Sequence, residues 1–237
     1  MTRRTWADIW AARRLDPAHG SRLRQLMAAD GLDTGFGDVE EAAWRAFVRR
    51  SAATAGIAPG ASVFEVGCGA GAFLYELDAM GCAVGGVDAS AALVGYARAA
   101  LPRGRWSVGD AADLDVTEPW DYVGACGVFL YFPTLEYAGR VLARMVRKAR
   151  RGVFLLDVPD LAKREATEAE RRRRTGEQAY AARYDGLEHL YVAKDWFVRE
   201  LAALGARDVR VEDQVIAGYG NAAGRYNVFA SSSAHRA

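Results

Sequence analysis

The residues best suited to chemistry form a glycine-rich loop, "VFEVGCGAGAF" at 63–73, in which Gly67, Gly69 and Gly71 follow a short apolar run. Such a loop presents backbone N–H groups to a ligand, because glycine has no Cβ to keep the ligand away. Since Ala72 follows, the stretch also satisfies G-x-G-x-x-A, a dinucleotide fingerprint. The loop alone leaves open a dinucleotide, a mononucleotide, a cofactor without phosphate, or close packing of a helix on a sheet.

Three carboxylates at the ends of successive predicted strands narrow this choice. Glu65 lies two residues before the first glycine, where it would repel a phosphate and attract an ammonium group. Asp88 ends the second strand and can accept hydrogen bonds from both ribose hydroxyls. Asp110 follows the third strand, where its carboxylate can accept from an adenine amino group while the Ala111 N–H donates to a ring nitrogen. Each carboxylate alone fits a helix N-cap, but together they predict a nucleoside ligand with a cationic tail.

Three further side chains are candidates for proton transfer. His189 lies in "YDGLEHLYVAKDW", before a predicted helix, and an ordinary histidine pKa of ~6.5 suits a general base. Tyr131 follows the fourth strand and Asp157 ends the fifth. The alternatives are a hydrogen-bonded structural histidine, a core aromatic side chain and a helix cap, respectively.

Alternating strands and helices place these residues at one edge of a sheet. Five short apolar segments predict buried parallel strands and two later ones predict a closing antiparallel hairpin: residues 62–66, 83–87, 105–108, 121–128, 152–158, 206–214 and 225–231. A helix is predicted over 134–150. The pattern indicates an α/β fold with a doubly wound, Rossmann-like seven-stranded sheet.

A helical N-terminal cap is predicted for residues 1–60, ahead of a binding domain at 61–237. One short helix is expected in "TWADIWAARRL". A longer one is expected to start at Asp38 with a capping-box-like Glu41 three residues later and to end at Gly56.

A lid insertion is predicted for about 160–194, a charged and tyrosine-rich segment. Glutamate and arginine recur four residues apart within it, as in Glu168/Arg172 and Glu170/Arg174, which favours a solvated, self-paired helix over a nucleic-acid surface. The helix that follows, 195–205, is expected to begin at a capping Asp195.

Composition limits the partners. The formal net charge is +1, so no global attraction to nucleic acid or anionic membrane is expected. The three cysteines form no C-x-x-C pair, which predicts no metal site and suits a reducing cytoplasm. With no signal-like N-terminus and no long apolar run, we expect a cytoplasmic monomer or homodimer.

On "FEVGCGAGAF", "GGVDAS" and "VGDAADL", the sequence resembles the class I S-adenosylmethionine-dependent methyltransferases over roughly residues 60–231. The resemblance implies S-adenosylmethionine as cofactor, with its ammonium near Glu65, its ribose at Asp88 and its adenine at Asp110. The segment "GACGVFLYF" matches the family's stretch beside the transferable methyl group. The implied cofactor-binding set is Glu65, Gly67, Cys68, Gly69, Gly71, Asp88, Ala89, Asp110, Ala111 and Cys126.

The chain lacks the N/D-P-P-Y signature of family members that methylate nucleobase or glutamine nitrogens. The sequence therefore predicts methyl transfer to an oxygen or nitrogen of a small-molecule acceptor, such as a metabolite or natural product. Methylation of RNA or protein remains an alternative. So does a nucleotide-binding Rossmann module, either an NAD-dependent reductase or a non-catalytic regulator.

Overall fold

The computed structural model describes residues 5–32 and 39–232. Within them a seven-stranded sheet has the order β3-β2-β1-β4-β5-β7-β6, in which β7 runs antiparallel to both β5 and β6. The strands are β1 Ser62–Val66, β2 Ala83–Asp88, β3 Arg105–Val108, β4 Trp120–Cys126, β5 Ala149–Pro159, β6 Arg207–Asp213 and β7 Arg225–Ser231. The predicted doubly wound sheet with its antiparallel C-terminal strands is confirmed, and the strand order reverses between β1 and β4, where such folds bind ligands.

Helices cover both faces of the sheet. They are α1 Trp6–Ala11, α2 Arg22–Met27, α3 Glu41–Ala55, α4 Ala72–Ala79, α5 Ala91–Ala100, α6 Leu135–Lys148, α7 Arg164–Thr175, α8 Glu177–Tyr184 and α9 Lys194–Ala203. One apolar core joins α2, α3 and α4 to the sheet, and a second joins α6 and α9 to its other face. Among the described residues, no helix is both long and apolar enough to cross a membrane.

The N-terminal segment packs directly on the sheet domain. Leu23, Leu26 and Val48 are fully buried in the same core as β1 and α4. Glu76 on α4 is completely buried, and its carboxylate forms ion pairs with Arg45 and Arg49 of α3. These two ion pairs hold α3 against α4, directly behind the glycine-rich loop.

The expected capping-box start of α3 is wrong. Its N-cap residue is Glu40, which makes no side-chain cap hydrogen bond, and Asp38 lies outside the described residues. The Glu41 carboxylate instead accepts hydrogen bonds from the Arg45 guanidinium, at 2.8 Å, and from the Ser21 hydroxyl.

Residues 160–194 form a helical insertion whose two ends are joined by backbone hydrogen bonds. The Leu161 N–H donates to the Val192 carbonyl at 3.2 Å, and the Val192 N–H donates to the Pro159 carbonyl at 2.9 Å. The predicted glutamate–arginine pairs on α7 are present, with Arg174 2.6 Å from Glu170. The segment is therefore a hairpin of helices anchored at the end of β5.

The predicted cap of the last helix is wrong. α9 begins at Lys194, and its N-cap residue, Ala193, has no side chain that could cap the helix. Asp195 lies in the first turn. The Asp195 carboxylate pairs with Arg199 one turn later, so it does not turn back to cap the helix.

Candidate active site

A large cavity runs from the carboxyl edge of β1, β2 and β4 to the helices of residues 160–194. Its volume is about 1260 Å³. Of the predicted cofactor residues, all except Gly71 line it, and so do the three predicted catalytic candidates, Tyr131, Asp157 and His189. The sheet thus brings together residues that are up to 124 positions apart, from Glu65 to His189.

The glycine-rich loop needs its glycines for space as well as for backbone conformation. Gly67, Gly69 and Gly71 all have positive φ angles, of 70°, 52° and 89°. A Cβ on Gly67 would overlap the Val128 side chain, and one on Gly69 would overlap a carboxylate oxygen of Asp30. Gly71 is the N-cap of α4, and a Cβ there would lie 3.3 Å from Ala97, so this glycine serves packing between α4 and α5.

Glu65 is a buried carboxylate with an unused acceptor. Its side chain is 2% exposed, and its Oε2 atom has no hydrogen-bond partner. Burial, with Asp30 and Asp88 nearby, raises the pKa of Glu65 well above its usual value. A cationic ligand group would supply the missing partner and restore the charged form.

Asp88 is held by the loop that it faces. Its Oδ2 accepts from the Gly69 N–H at 2.9 Å and its Oδ1 from the Ser90 N–H at 2.8 Å. Burial raises its pKa against the effect of these bonds. A carboxylate has about four acceptor positions, so each oxygen retains one for a ligand hydroxyl.

Asp110 lines the cavity two residues after the end of β3. Its Oδ1 accepts from the Ala112 N–H at 2.7 Å, as an N-cap does, and from the Tyr137 hydroxyl at 2.5 Å. Tyr137 comes from α6 and lines the cavity beside Ala111. Nothing in the sequence marks Tyr137, because its helix follows the next strand.

Asp30 is a fourth carboxylate of this site, and the sequence analysis missed it. It lies in a π-helical turn, Ala28–Leu32, after α2. Its two oxygens accept from the backbone N–H groups of Ala70, at 2.5 Å, and Ala72, at 2.9 Å. Burial raises the pKa of Asp30 to about 7. An acid from the N-terminal segment thus occupies the positive N-terminal end of α4.

The two cysteines of the predicted site are free thiols, of which Cys68 is buried and Cys126 is half-buried. Burial raises the pKa of both Cys68 and Cys126 well above the usual thiol value. A protonated thiol is a weak nucleophile, so these residues shape the cavity through their backbone and their size. Cys126 ends β4, and Gly127 follows with a φ of 63°.

Aromatic side chains gather at the other end of the cavity. Trp6 lies 4.7 Å from Tyr131 and stacks on His189 at 4.8 Å between ring centroids. Trp10 meets the edge of Tyr131 at 5.2 Å. The indole N–H of Trp6 also donates to the Glu188 carbonyl at 3.0 Å. The N-terminal α1 therefore closes against residues 160–194 above the sheet, and its two tryptophans carry no sequence signal for this role.

His189 does not have the ordinary pKa that the sequence analysis assumed. Burial and the positive charges of Arg171 and Arg225 lower the pKa of its imidazole well below the usual value. Its Nδ1 lies 2.9 Å from Nη1 of Arg171. Because a guanidinium can only donate, Nδ1 is the acceptor and the proton of the neutral ring is on Nε2. The ring therefore offers an N–H donor to the cavity.

Asp157 sits in a strained turn of β5. It is a non-glycine residue with a φ of 60°, at a break in the β5–β7 register. Its Oδ2 accepts from the Tyr219 hydroxyl at 2.8 Å and its Oδ1 from the Gln214 amide at 3.3 Å. Arg225, on β7, donates to the Asp157 carbonyl at 3.1 Å. This network fixes the carboxylate next to Gly127.

Residues 63–152 match a family model described as a methyltransferase domain. This stretch, which contains the glycine-rich loop, Asp88 and Asp110, is therefore similar to methyltransferase domains. No curated protein matches the sequence significantly.

Solved structures of other proteins share the fold at low identity. Magnesium protoporphyrin IX methyltransferase from Synechocystis with bound S-adenosylmethionine is 18% identical, with 90% of each chain covered and a TM-score of 0.60. A putative methyltransferase of Haloferax volcanii, in complex with the Trm112 methyltransferase activator, is 16% identical, covers 99% of this chain and 100% of its own, and has a TM-score of 0.66. Streptomyces venezuelae DesVI is 13% identical over 93% of this chain and 100% of its own, with a TM-score of 0.62. The shared fold confirms the predicted architecture.

The residues of this site fit S-adenosylmethionine. The orphaned Oε2 of Glu65 matches a ligand ammonium, and Gly67 and Gly69 leave a cradle that a Cβ would fill. Glu65, Asp30 and Asp88 line this end of the cavity with carboxyl groups whose charged forms a cationic cofactor without phosphate would stabilise. A dinucleotide pyrophosphate would meet three carboxylates at this point, which disfavours the dinucleotide alternative.

Proposed function

We propose that this methyltransferase transfers the methyl group of S-adenosylmethionine to an oxygen or nitrogen atom of a small-molecule acceptor. The supporting observation is the continuous cavity of about 1260 Å³, whose acidic end suits the cofactor and whose aromatic end is covered by α1 and the 160–194 segment. A covered cavity of this size holds two small molecules side by side, and it disfavours a polymer acceptor.

S-adenosylmethionine supplies the electrophilic methyl group and its leaving group when bound. The chain then has to place the acceptor atom in line and exclude water, and positioning contributes on the order of 7–11 kcal/mol to such reactions. Asp157 lies beside Gly127, at the expected transfer position, with its Oδ2 3.8 Å from where a Cβ of that glycine would be. Tyr131 lines the same cavity. Burial raises the pKa of Tyr131 to about 12, so its hydroxyl is a neutral donor and orients the acceptor.

Transfer of a labelled methyl group tests this proposal. The purified protein is incubated with methyl-labelled S-adenosylmethionine and with separate small-molecule, RNA and protein fractions of a cell extract. We expect label only in the small-molecule fraction, and loss of labelling with Glu65→Gln. Label in RNA or protein would contradict the small-molecule acceptor, and a Trm112-like activator would then become the partner to test, since one similar structure contains one.

A further inference from the structure

The cavity carries opposite charges at its two ends. Glu65, Asp30 and Asp88 line the cofactor end, whereas the end beneath residues 160–194 is lined by Arg171 and Arg225. The exposed Arg183 borders the same end. A cationic cofactor matches the acidic end, and the basic end calls for a different kind of ligand.

Arg225 is a buried cation with an unused donor. Its side chain is 2% exposed, and its Nε has no hydrogen-bond partner. Its Nη1 forms an ion pair with Oδ2 of Asp157 at 3.9 Å, a distance too long for a hydrogen bond between the two side chains. The oxygens of Asp157 accept instead from Tyr219 and Gln214. A buried guanidinium N–H without an acceptor costs free energy, and a ligand oxygen that accepts a hydrogen bond from it would remove this cost.

Arg171 brings a second buried positive charge to this end. It is 3% exposed, although the arginines that follow it on α7 lie on the surface and pair with Glu168 and Glu170. Its guanidinium donates to Asn221, at 3.2 Å, and to His189 Nδ1, at 2.9 Å. The sequence predicts a solvated helix for α7, but the Arg171 side chain is buried and lines the cavity.

The two arginines act on the same ring. Both Arg171 and Arg225 lower the pKa of His189, and both affect Tyr131. His189 therefore stays neutral, with its Nε2–H as a third donor at this end. Asp8 also lines the cavity, but it is exposed and its carboxylate caps its own helix through Thr5.

We propose that the acceptor bears a carboxylate or phosphate oxyanion, which binds Arg225, Arg171 and the N–H of His189. Guanidinium forks match the oxygen pairs of both anions. The adjoining faces of Trp6 and Tyr131 hold the apolar part of the same molecule. This inference rests on the proposed function, because it concerns the acceptor end of the same cavity, and it makes His189 a positioning residue.

Binding of simple aromatic probes tests the inference. The full-length protein is first saturated with S-adenosylhomocysteine and then titrated by calorimetry with benzoate, phenyl phosphate, benzamide, benzyl alcohol and benzylamine. We expect benzoate or phenyl phosphate to bind about 10- to 100-fold more tightly than benzamide, and benzylamine to bind weakest. The preferred anion of the pair identifies the oxyanion.

Matched variants locate the effect. Arg171→Gln should reduce the preference for the anion to within about threefold, with S-adenosylhomocysteine affinity unchanged. Arg174→Gln, on the exposed side of the same helix, should keep the wild-type preference. Arg225→Gln combined with Asp157→Asn removes both charges at once, so that no buried charge is left alone, and it should also lose the preference.

The outcomes separate this inference from the proposed function. If S-adenosylhomocysteine fails to bind, the proposed function itself is contradicted. If it binds, but benzamide or benzylamine binds as tightly as the anions, or no probe shows a preference, the anionic acceptor is wrong and the methyltransferase stands. Equal loss of the preference in Arg171→Gln and Arg174→Gln would show general surface attraction only, and would also overturn the inference.

Discussion

Replacement of Asp30 by asparagine should stabilise the cofactor-free protein more strongly as the pH rises. Burial raises the pKa of Asp30 from 3.8 to about 7, against the two N–H groups of Ala70 and Ala72 that favour its charged form. The folded state therefore binds the Asp30 proton more tightly than the unfolded state. Its contribution to stability is fully present below pH ~4 and is lost as the pH rises through about 7.

The size of the effect follows from the same shift. A pKa rise of about 3 units corresponds to about 4 kcal/mol in total, of which about 2–3 kcal/mol is lost between pH 5 and pH 8. Asparagine has no charge to desolvate, but its amide cannot accept from both N–H groups, which costs about 1 kcal/mol at either pH. The difference between the two pH values is therefore the informative quantity.

Urea unfolding at pH 5 and pH 8 measures this difference. The free energy of unfolding of Asp30→Asn, relative to the wild type, should increase by about 2–3 kcal/mol from the lower to the higher pH. Asp195→Asn is a suitable control, because Asp195 is exposed on α9 and paired with Arg199, and its effect should change little with pH. An equal effect of Asp30→Asn at both pH values, or a larger loss of stability at pH 8, would refute the reasoning.

Three further changes address binding and turnover. Asp88→Ala should weaken binding of S-adenosylhomocysteine by about 2–5 kcal/mol in calorimetry, because charged hydrogen bonds are lost; unchanged affinity would remove Asp88 from the ribose site. Gly69→Val should abolish cofactor binding while circular dichroism shows a retained fold, since its side chain would enter the space of Asp30; wild-type affinity would show that the loop serves packing alone. With an acceptor in hand, His189→Ala should raise the Michaelis constant more than it lowers turnover. A loss of turnover of about 10²–10⁴-fold at an unchanged Michaelis constant would instead identify His189 as the general base.

Much of the cofactor end was predictable from local sequence. Glu65, Asp88 and Asp110 lie at or just after the carboxyl ends of β1, β2 and β3. Parallel strands bring these ends to one edge of the sheet, so the order of the strands was enough to bring the three residues together. The three glycines were recognisable for the same reason, since they lie at the turn from β1 into α4.

The contributions of the N-terminal segment and of the acceptor end were not predictable in this way. Asp30, Trp6 and Trp10 reach the cavity through the packing of the N-terminal segment, and no periodic pattern encodes that contact. Arg171 carries the same sequence signal as its exposed neighbours, and only its position on the inner face of α7 sets it apart. The ordinary pKa assumed for His189 was wrong, because burial and the charges of two arginines lower it. Neither the burial nor the two arginines can be recognised from the local sequence.

The central claim is that the glycine-rich loop and its carboxylates bind S-adenosylmethionine rather than a dinucleotide. Calorimetric titration of the wild-type protein with S-adenosylhomocysteine, and separately with NAD, tests it most directly. We expect saturable one-to-one binding of S-adenosylhomocysteine, weakened in Glu65→Gln because the orphaned Oε2 of Glu65 loses its charge, and no binding of NAD. Saturable binding of NAD with no binding of S-adenosylhomocysteine would contradict the account.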